Sequence, residues 1–318
     1  MADGKKEPPK ITLANLRPPY PEGAVYRYFE NADAHPFDGG SKEFRMVNAW
    51  WLCEIATLAY SDFAEFGRVL GAKAGLNSTA DFSQGSTQCF AVNAEGFTVV
   101  AFRGTETSPR KRPREDFGEV FADLLTDFDA LPVQSDLGGR VHHGFKRAVD
   151  SVWGGGLGEF LSGLGPRVTV WLTGHSLGAA LATLAAAKCE RLDGLYTFGS
   201  PRAGDGAFAR ALDRRLSQSG IEHHRFVNNR DVVTTLPPPG IYEHGGALKH
   251  IGADGRIGGG PSLASRVGNF LRGALTLPFD ATGRLKPHLV NLIPGALEDH
   301  VPTLYATHVW NAHAGGAG

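Results

Sequence analysis

Residues 168–189 read VTVWLTGHSLGAALATLAAAKC: a β-branched run meets Gly-His-Ser-Leu-Gly and turns at once into alanine-rich sequence. The run 168–173 has the composition of a buried strand, and 177–192 that of a helix. Gly174 and Gly178 remove side chains where strand and helix crowd together, so the chain can make a strained turn that holds the Ser176 hydroxyl exposed. Ala179, Ala180, Ala182, Ala185 and Ala186 let the helix lie close on a sheet. Its N-terminus then places backbone N–H groups, that of Leu177 in particular, beside whatever reacts with the serine. A plainer reading, a glycine-bounded turn whose serine caps a helix, is open to the pentapeptide alone.

The same strand-then-helix rhythm continues outward. Strand-like runs at 168–173, 195–199 and 224–228 are separated by helical sequence at 177–192 and 206–218, which predicts a largely parallel sheet covered on both faces. Upstream, TQCFAVNAEGFTVVAFRGTE reads as a hairpin turning at NAEG. FRMVNAWWLCEIATLAY reads as a helix, with Met46, Ala49, Trp50, Cys53, Ile55, Ala56 and Tyr60 near the 3.6 period. Downstream, KHIGADGRIG predicts a second hairpin with an Asp-Gly turn. PSLASRVGNFLRGALTL predicts an amphipathic helix with Leu263, Val267, Phe270, Leu271 and Leu275 on one side. Residues 1–40 are proline-rich and polar and are expected to form an irregular arm; residues 41–318 are expected to form a single α/β domain.

Composition narrows the function classes. The chain has 318 residues, 42% of them apolar, and a net charge of −1. That is enough to bury a large core, and neither the charge balance nor any basic stripe with interleaved aromatics suggests a nucleic-acid partner. Cys53, Cys89 and Cys189 are odd in number, far apart and set in apolar stretches, so no disulfide framework is expected. No run approaches eighteen apolar residues and the first residues, MADGKKEPPK, lack a following apolar stretch; the expected location is cytoplasmic, with export by a route other than a Sec signal peptide as the alternative. There is no H-E-x-x-H, paired C-x-x-C or G-x-x-x-x-G-K sequence, and no metal or organic cofactor is expected.

A serine hydroxyl is a poor nucleophile at neutral pH and needs a base, a group that orients the base, and donors for the oxyanion. In the α/β-hydrolase order the acid follows the serine and the histidine follows the acid. Asp231, in RFVNNRDVVTTLPPP, lies just past the strand containing Phe226 and Val227. The histidines beyond it include His244, His250, His288, His300, His308 and His313. His300, in EDHVPTLYATHVW, precedes a proline-opened helical pattern and is preferred, with His244 in IYEHGG as its rival.

Taken together, these segments resemble the class 3 lipases, the fungal triacylglycerol lipases and their bacterial and plant relatives. The resemblance runs over roughly residues 45–310 through VVAFRGTE, TDFDA, VHHGF, GHSLG, FGSPRAGD, NNRDVVTTLPP and a terminal DH, in that order. It implies an α/β-hydrolase fold with Ser176 as nucleophile, Asp231 as acid and His300 as base. It further implies an oxyanion hole from the backbone N–H groups of Thr105 and Leu177, with the Thr105 hydroxyl as a third donor. The interval TETSPRKRPREDFGEVFADLLTDFDA is longer than in the fungal pattern and carries Arg110, Lys111, Arg112 and Arg114. Residues 106–126 are expected to form a lid, with Phe117, Val120, Phe121, Leu124 and Leu125 as its apolar face, and residues 253–298 a C-terminal insertion. The expected activity is hydrolysis of lipid carboxylic esters at acylglycerols, with a lipid–water interface as the setting. Phospholipase A1 activity, which the basic cluster favours, and a non-catalytic interaction module are the alternatives.

Overall fold

The computed structural model describes residues 4–12, 15, 18–104, 131–237, 239–259 and 298–316. The expected lid, its apolar face, Thr105 and the helix expected over PSLASRVGNFLRGALTL lie outside the described residues. So does most of the expected insertion.

The chain enters its core through helix α1 (Met46–Leu58), followed by α2 (Phe63–Ala74). Asp62 caps α2 by accepting from the Glu65 N–H at 2.8 Å, and Gly75 ends it at φ 68°. Strands β1 (Ser78–Asp81), β2 (Cys89–Ala94) and β3 (Phe97–Phe102) form an antiparallel meander. From β3 the sheet continues in parallel through β6 (Thr169–His175), β7 (Gly194–Phe198), β8 (His223–Asn228) and β9 (Ala247–Ile251). The two-residue β10 (Ile257–Gly258) closes the edge as a hairpin with β9. Between β3 and β6 lie the small hairpin β4 (Pro132–Gln134)–β5 (Arg140–His142), then α3 (His143–Val152), a π-type turn and α4 (Gly158–Gly163). Helix α5 (Leu177–Lys188) follows β6, α6 (Gly206–Gln218) follows β7, and α7 (Pro302–Ala314) is the last helix.

Alternation along the strands divides the core in two. On one face Phe90, Val92, Val99, Ala101, Trp171, Tyr196 and Phe198 pack with α1 and α7. On the other, Ala91, Val100, Phe102, Val170, Leu172 and Leu195 pack with α3, α5 and α6. The inner strands β2, β3, β6, β7 and β8 thus bury both sides, as a sheet covered by helices requires. The helix expected over 177–192 stops at Lys188. The Arg215 guanidinium, from α6, donates to the carbonyls of Ala187 and Cys189 and satisfies the last turn there. Helix α1 is buried on every side rather than along one stripe, because the sheet lies on one flank, α7 on another, and the N-terminal segment on a third.

Among its described residues that N-terminal segment forms no regular element beyond isolated bridges, yet Tyr20, Tyr28, Phe29 and Ala32 are buried in the same cluster as α1 and α7. Trp51 Nε1–H donates to the His35 carbonyl at 2.7 Å, and Asn311 exchanges two hydrogen bonds with the Lys6 backbone. Beneath it Glu54 is fully buried, its Oε1 accepting from Tyr26 Oη and Trp50 Nε1, each at 2.9 Å. Burial pushes its carboxyl up from the usual 4.5 to about 7. A folded-state pKa above the unfolded one means stability that is fully present below pH 4.5 and is lost as pH rises through about 7. The span corresponds to about 3 kcal/mol. Glu54→Gln keeps an acceptor for both donors and removes the charge, so urea unfolding should show the variant gaining on the parent progressively between pH 4.5 and 8. A constant difference across that range would refute the assignment.

Candidate active site

Strand β6 runs into α5 through Ser176, which has φ 60° and ψ −130°, a left-handed conformation unusual for a residue with a side chain. The neighbours explain how the turn fits. A Cβ at Gly174 would lie 2.3 Å from the Gly178 backbone, and one at Gly178 would lie 2.0 Å from the Phe102 carbonyl oxygen. The second contact also brings the end of β3, and with it Arg103 and Gly104, against the start of α5. Leu177 opens that helix, so its N–H precedes the first intrahelical bond by helix geometry. Thr105, the other residue expected at the oxyanion, lies outside the described residues.

Past β8, Asp231 is 1% exposed and caps a short 3-10 turn (Val232–Thr235), its Oδ1 accepting from the Val233 N–H at 2.9 Å. His300 stands two residues before α7, 5% exposed. Its Nδ1 is 2.8 Å from Asp231 Oδ2 and its Nε2 is 2.8 Å from Ser176 Oγ. The carboxylate requires Nδ1 to carry the hydrogen, which leaves Nε2 as the acceptor of the serine proton. The structure therefore brings Ser176, His300 and Asp231 into one hydrogen-bonded line. Beneath them Gly199, at φ 60°, leaves room: a Cβ there would lie 2.9 Å from Asp231 Oδ2 and 3.0 Å from His300 Cε1.

His244 is elsewhere. Its Nε2–H donates to the Thr234 carbonyl at 2.7 Å, and its ring lines a cavity with Ser200, His223 and Arg225. Burial, with Arg225 and Arg202 nearby, holds its pKa well below the usual range, so it stays neutral.

Several site residues escaped the sequence reading. Tyr305, on the first turn of α7, donates from Oη to Asp231 Oδ2 at 2.5 Å and accepts from the Asn228 N–H at 2.9 Å. Asp299 ties the histidine loop to the acid loop: its Oδ2 accepts from Asn229 Nδ2 at 2.9 Å and the Arg230 N–H at 3.1 Å, and its carbonyl from Asn228 Nδ2 at 2.9 Å. The only sequence signal for these was proximity, an aspartate beside His300 and a tyrosine five residues on. His175 and Tyr60 also reach the site, the first from within the glycine-flanked pentapeptide and the second from the end of α1.

Comparison with known proteins finds similarity to lipases. Residues 99–240 match the family described as lipase (class 3). The chain is 32% identical over 179 residues to secreted mono- and diacylglycerol lipase 1 of Fusarium solani, covering 54% of this chain and 46% of that one. It is 38% identical over 126 residues to a lipase of Rhizomucor miehei, covering 36% and 34%. A secreted mono- and diacylglycerol lipase of Malassezia globosa is 44% identical over 84 residues, covering 24% and 26%. The chain thus spans less than half the length of these relatives. A solved fungal lipase–inhibitor complex superposes with a TM-score of 0.52 at 23% identity, covering 67% of this chain and 82% of that one, which shows the α/β-hydrolase fold.

The cytoplasmic location expected from the sequence is overturned here, because relatives from Fusarium and Malassezia are named as secreted. That expectation leaned on the lack of an apolar stretch after the first residues and on unpaired cysteines. Cys53, Cys89 and Cys189 are free but all buried, and a thiol shielded by packing does not report its compartment. Among the described residues no helix is long and apolar enough to cross a membrane.

Proposed function

Over residues 99–240 the chain belongs to the class 3 lipase family, and we propose that it is an extracellular carboxylic-ester hydrolase that cleaves acylglycerols through an acyl-enzyme on Ser176. The observation that carries this is the line of two 2.8 Å contacts from Asp231 through His300 to Ser176 at the strained turn. In the proposed mechanism His300 Nε2 takes the hydroxyl proton as Ser176 Oγ attacks the ester carbonyl. Asp231 holds the ring in the productive tautomer and stabilises the imidazolium that forms. The oxyanion develops beside the Leu177 N–H at the positive end of α5, with Thr105 as the second donor. His300 then gives its proton to the leaving glycerol oxygen. Water, deprotonated by the same imidazole, releases the fatty acid.

Residues 106–126 serve in this reading as a lid over the acyl groove, within one domain spanning 41–318, preceded by the arm 1–40 and carrying the insertion 253–298. Action at a lipid–water interface follows from the insolubility of such substrates. The acylglycerol reading is preferred to a phospholipase because the similar Fusarium and Malassezia proteins are named for mono- and diacylglycerols. The basic cluster that favoured phospholipids lies outside the described residues.

The test compares hydrolysis of emulsified diacylglycerol and triacylglycerol with that of phospholipid vesicles, and locates by peptide mass spectrometry the alkylphosphonyl group that a p-nitrophenyl alkylphosphonate leaves on the enzyme as p-nitrophenolate departs. Faster release from the acylglycerols and an adduct on Ser176 are expected. Faster release from phospholipid would move the substrate class, and an adduct on another residue would move the nucleophile.

A further inference from the structure

A buried chain of hydrogen bonds ends on the main chain of His300. His175, the residue before the serine and the last of β6, is 2% exposed and its ring lies 4.5 Å from the His300 ring. Its Nε2 is 2.8 Å from the carbonyl oxygen of His300, and its Nδ1 is 2.9 Å from Tyr60 Oη. A carbonyl accepts only, so Nε2 must carry the hydrogen, and the Nδ1 lone pair then accepts from the tyrosine. We infer that His175, in the tautomer set by the Tyr60 hydroxyl, is a positioning residue that fixes the backbone of His300 and so the distance from its imidazole to Ser176.

The protonation states agree with that assignment. Burial, with His300 nearby, pushes the His175 pKa well below the usual range and keeps its ring neutral. Burial pushes the Tyr60 phenol far up, so it remains a donor. Both hold through neutral pH, and the tautomer is fixed by partners rather than by charge.

The anchor acts on the main chain of His300 rather than on its ring. The two contacts of the His300 ring, with Asp231 and Ser176, set its orientation, and Asp299 ties the preceding residue to the acid loop. The His300 carbonyl lies two residues ahead of α7. His175 donates to that acceptor. Since His175 and Ser176 are adjacent in sequence, one dipeptide carries both the nucleophile and the tether of its base. Tyr60 is wedged as tightly: a Cβ on Gly104 would lie 1.9 Å from its Oη, so the hydroxyl fills the space between the ends of β3 and β6.

This inference rests on the triad reading above. The test measures kcat and KM toward a short-chain p-nitrophenyl ester, and the rate of phosphonylation of Ser176, for His175→Asn, His175→Gln, Tyr60→Phe and Ser176→Ala. Asparagine can still accept from Tyr60 but is too short to reach the His300 carbonyl. Its kcat and phosphonylation rate should both fall about 10²-fold, the scale of a 1 Å misplacement, with KM nearly unchanged. Glutamine reaches as far as Nε2 and should recover activity to within about 10-fold of the parent. Tyr60→Phe should fall between the two. Parental kcat in both His175 variants beside an inactive Ser176→Ala would overturn this inference alone. Equal losses in asparagine and glutamine would also overturn it, whatever the melting temperatures, since packing would then suffice. Retained activity in Ser176→Ala would instead remove the triad reading beneath it.

Discussion

Replacing Ser176 by alanine will lower kcat/KM toward a short-chain p-nitrophenyl ester by at least about 10³-fold while leaving the melting temperature unchanged or raised. The size follows from the chemistry. Without Oγ no acyl-enzyme forms, and what remains is water attacking beside the α5 N-terminus. The fold should hold because the substitution deletes a single oxygen and leaves the backbone at φ 60° as it was. His300→Ala should cost a comparable factor, and the double variant little more, because the two act as one unit. His244→Ala should retain most turnover, since that ring is engaged with Thr234 and not with Ser176 or Asp231. A Ser176→Ala protein that still hydrolysed the ester at the parental rate would place the nucleophile elsewhere, and would leave the non-catalytic reading of this turn standing.

Much of the fold was legible because it depends on local pattern. The β-branched runs around β6, β7 and β8 alternate with helical sequence, and the hairpins at NAEG and ADGR are marked by their own turn residues. Boundaries drifted where a distant group decides them. Nothing between Cys189 and Leu192 forbids another helical turn; Arg215, more than twenty residues on, satisfies the final carbonyls and lets the chain leave. The N-terminal segment misled in a different way. Its prolines do keep it out of helices and strands, but Tyr20, Tyr28 and Phe29 bury with α1 and α7, and burial without periodicity leaves no sequence signature.

The site divides along the same line. Gly174, Ser176 and Gly178 announce themselves because a close strand-to-helix turn demands small residues at that spacing, and the distances to the Gly178 backbone and to the Phe102 carbonyl show how little room there is. Choosing His300 over His244 could not be done from spacing, since both follow the acid. The deciding contacts join residues 69 and 124 positions apart. The supporting groups were further out of reach: Tyr60 is 115 positions from His175, and in the sequence it reads as one more apolar position on a helix.

Asp231→Asn is expected to lower kcat by about 10⁴-fold with the fold intact, the largest effect of any isosteric change here. The surroundings of the carboxylate explain why an amide cannot stand in for it. Oδ1 accepts from the Val233 N–H, while Oδ2 accepts from both His300 Nδ1–H and the Tyr305 hydroxyl. An asparagine has one acceptor and one donor end, so either orientation sets a donor against a donor. With its oxygen toward Val233, the amide N–H₂ faces the imidazole, which relieves the conflict by moving its hydrogen to Nε2 and pointing it at Ser176 Oγ. The ring then has no lone pair for the serine proton. With its oxygen toward His300, the N–H₂ opposes the Val233 N–H and the acid loop must shift. In both cases the negative charge that stabilises the imidazolium is gone. Tyr305→Phe offers the contrast: it removes two hydrogen bonds, one to Asp231 and one from the Asn228 N–H, but leaves the charge and the tautomer in place, so kcat should fall by only about 10-fold, the scale of the one bond that reaches the carboxylate, while the melting temperature falls. Steady-state rates of the two variants, read beside their melting temperatures, check both expectations. If Asp231→Asn kept more than a tenth of parental kcat, another group would have to orient His300.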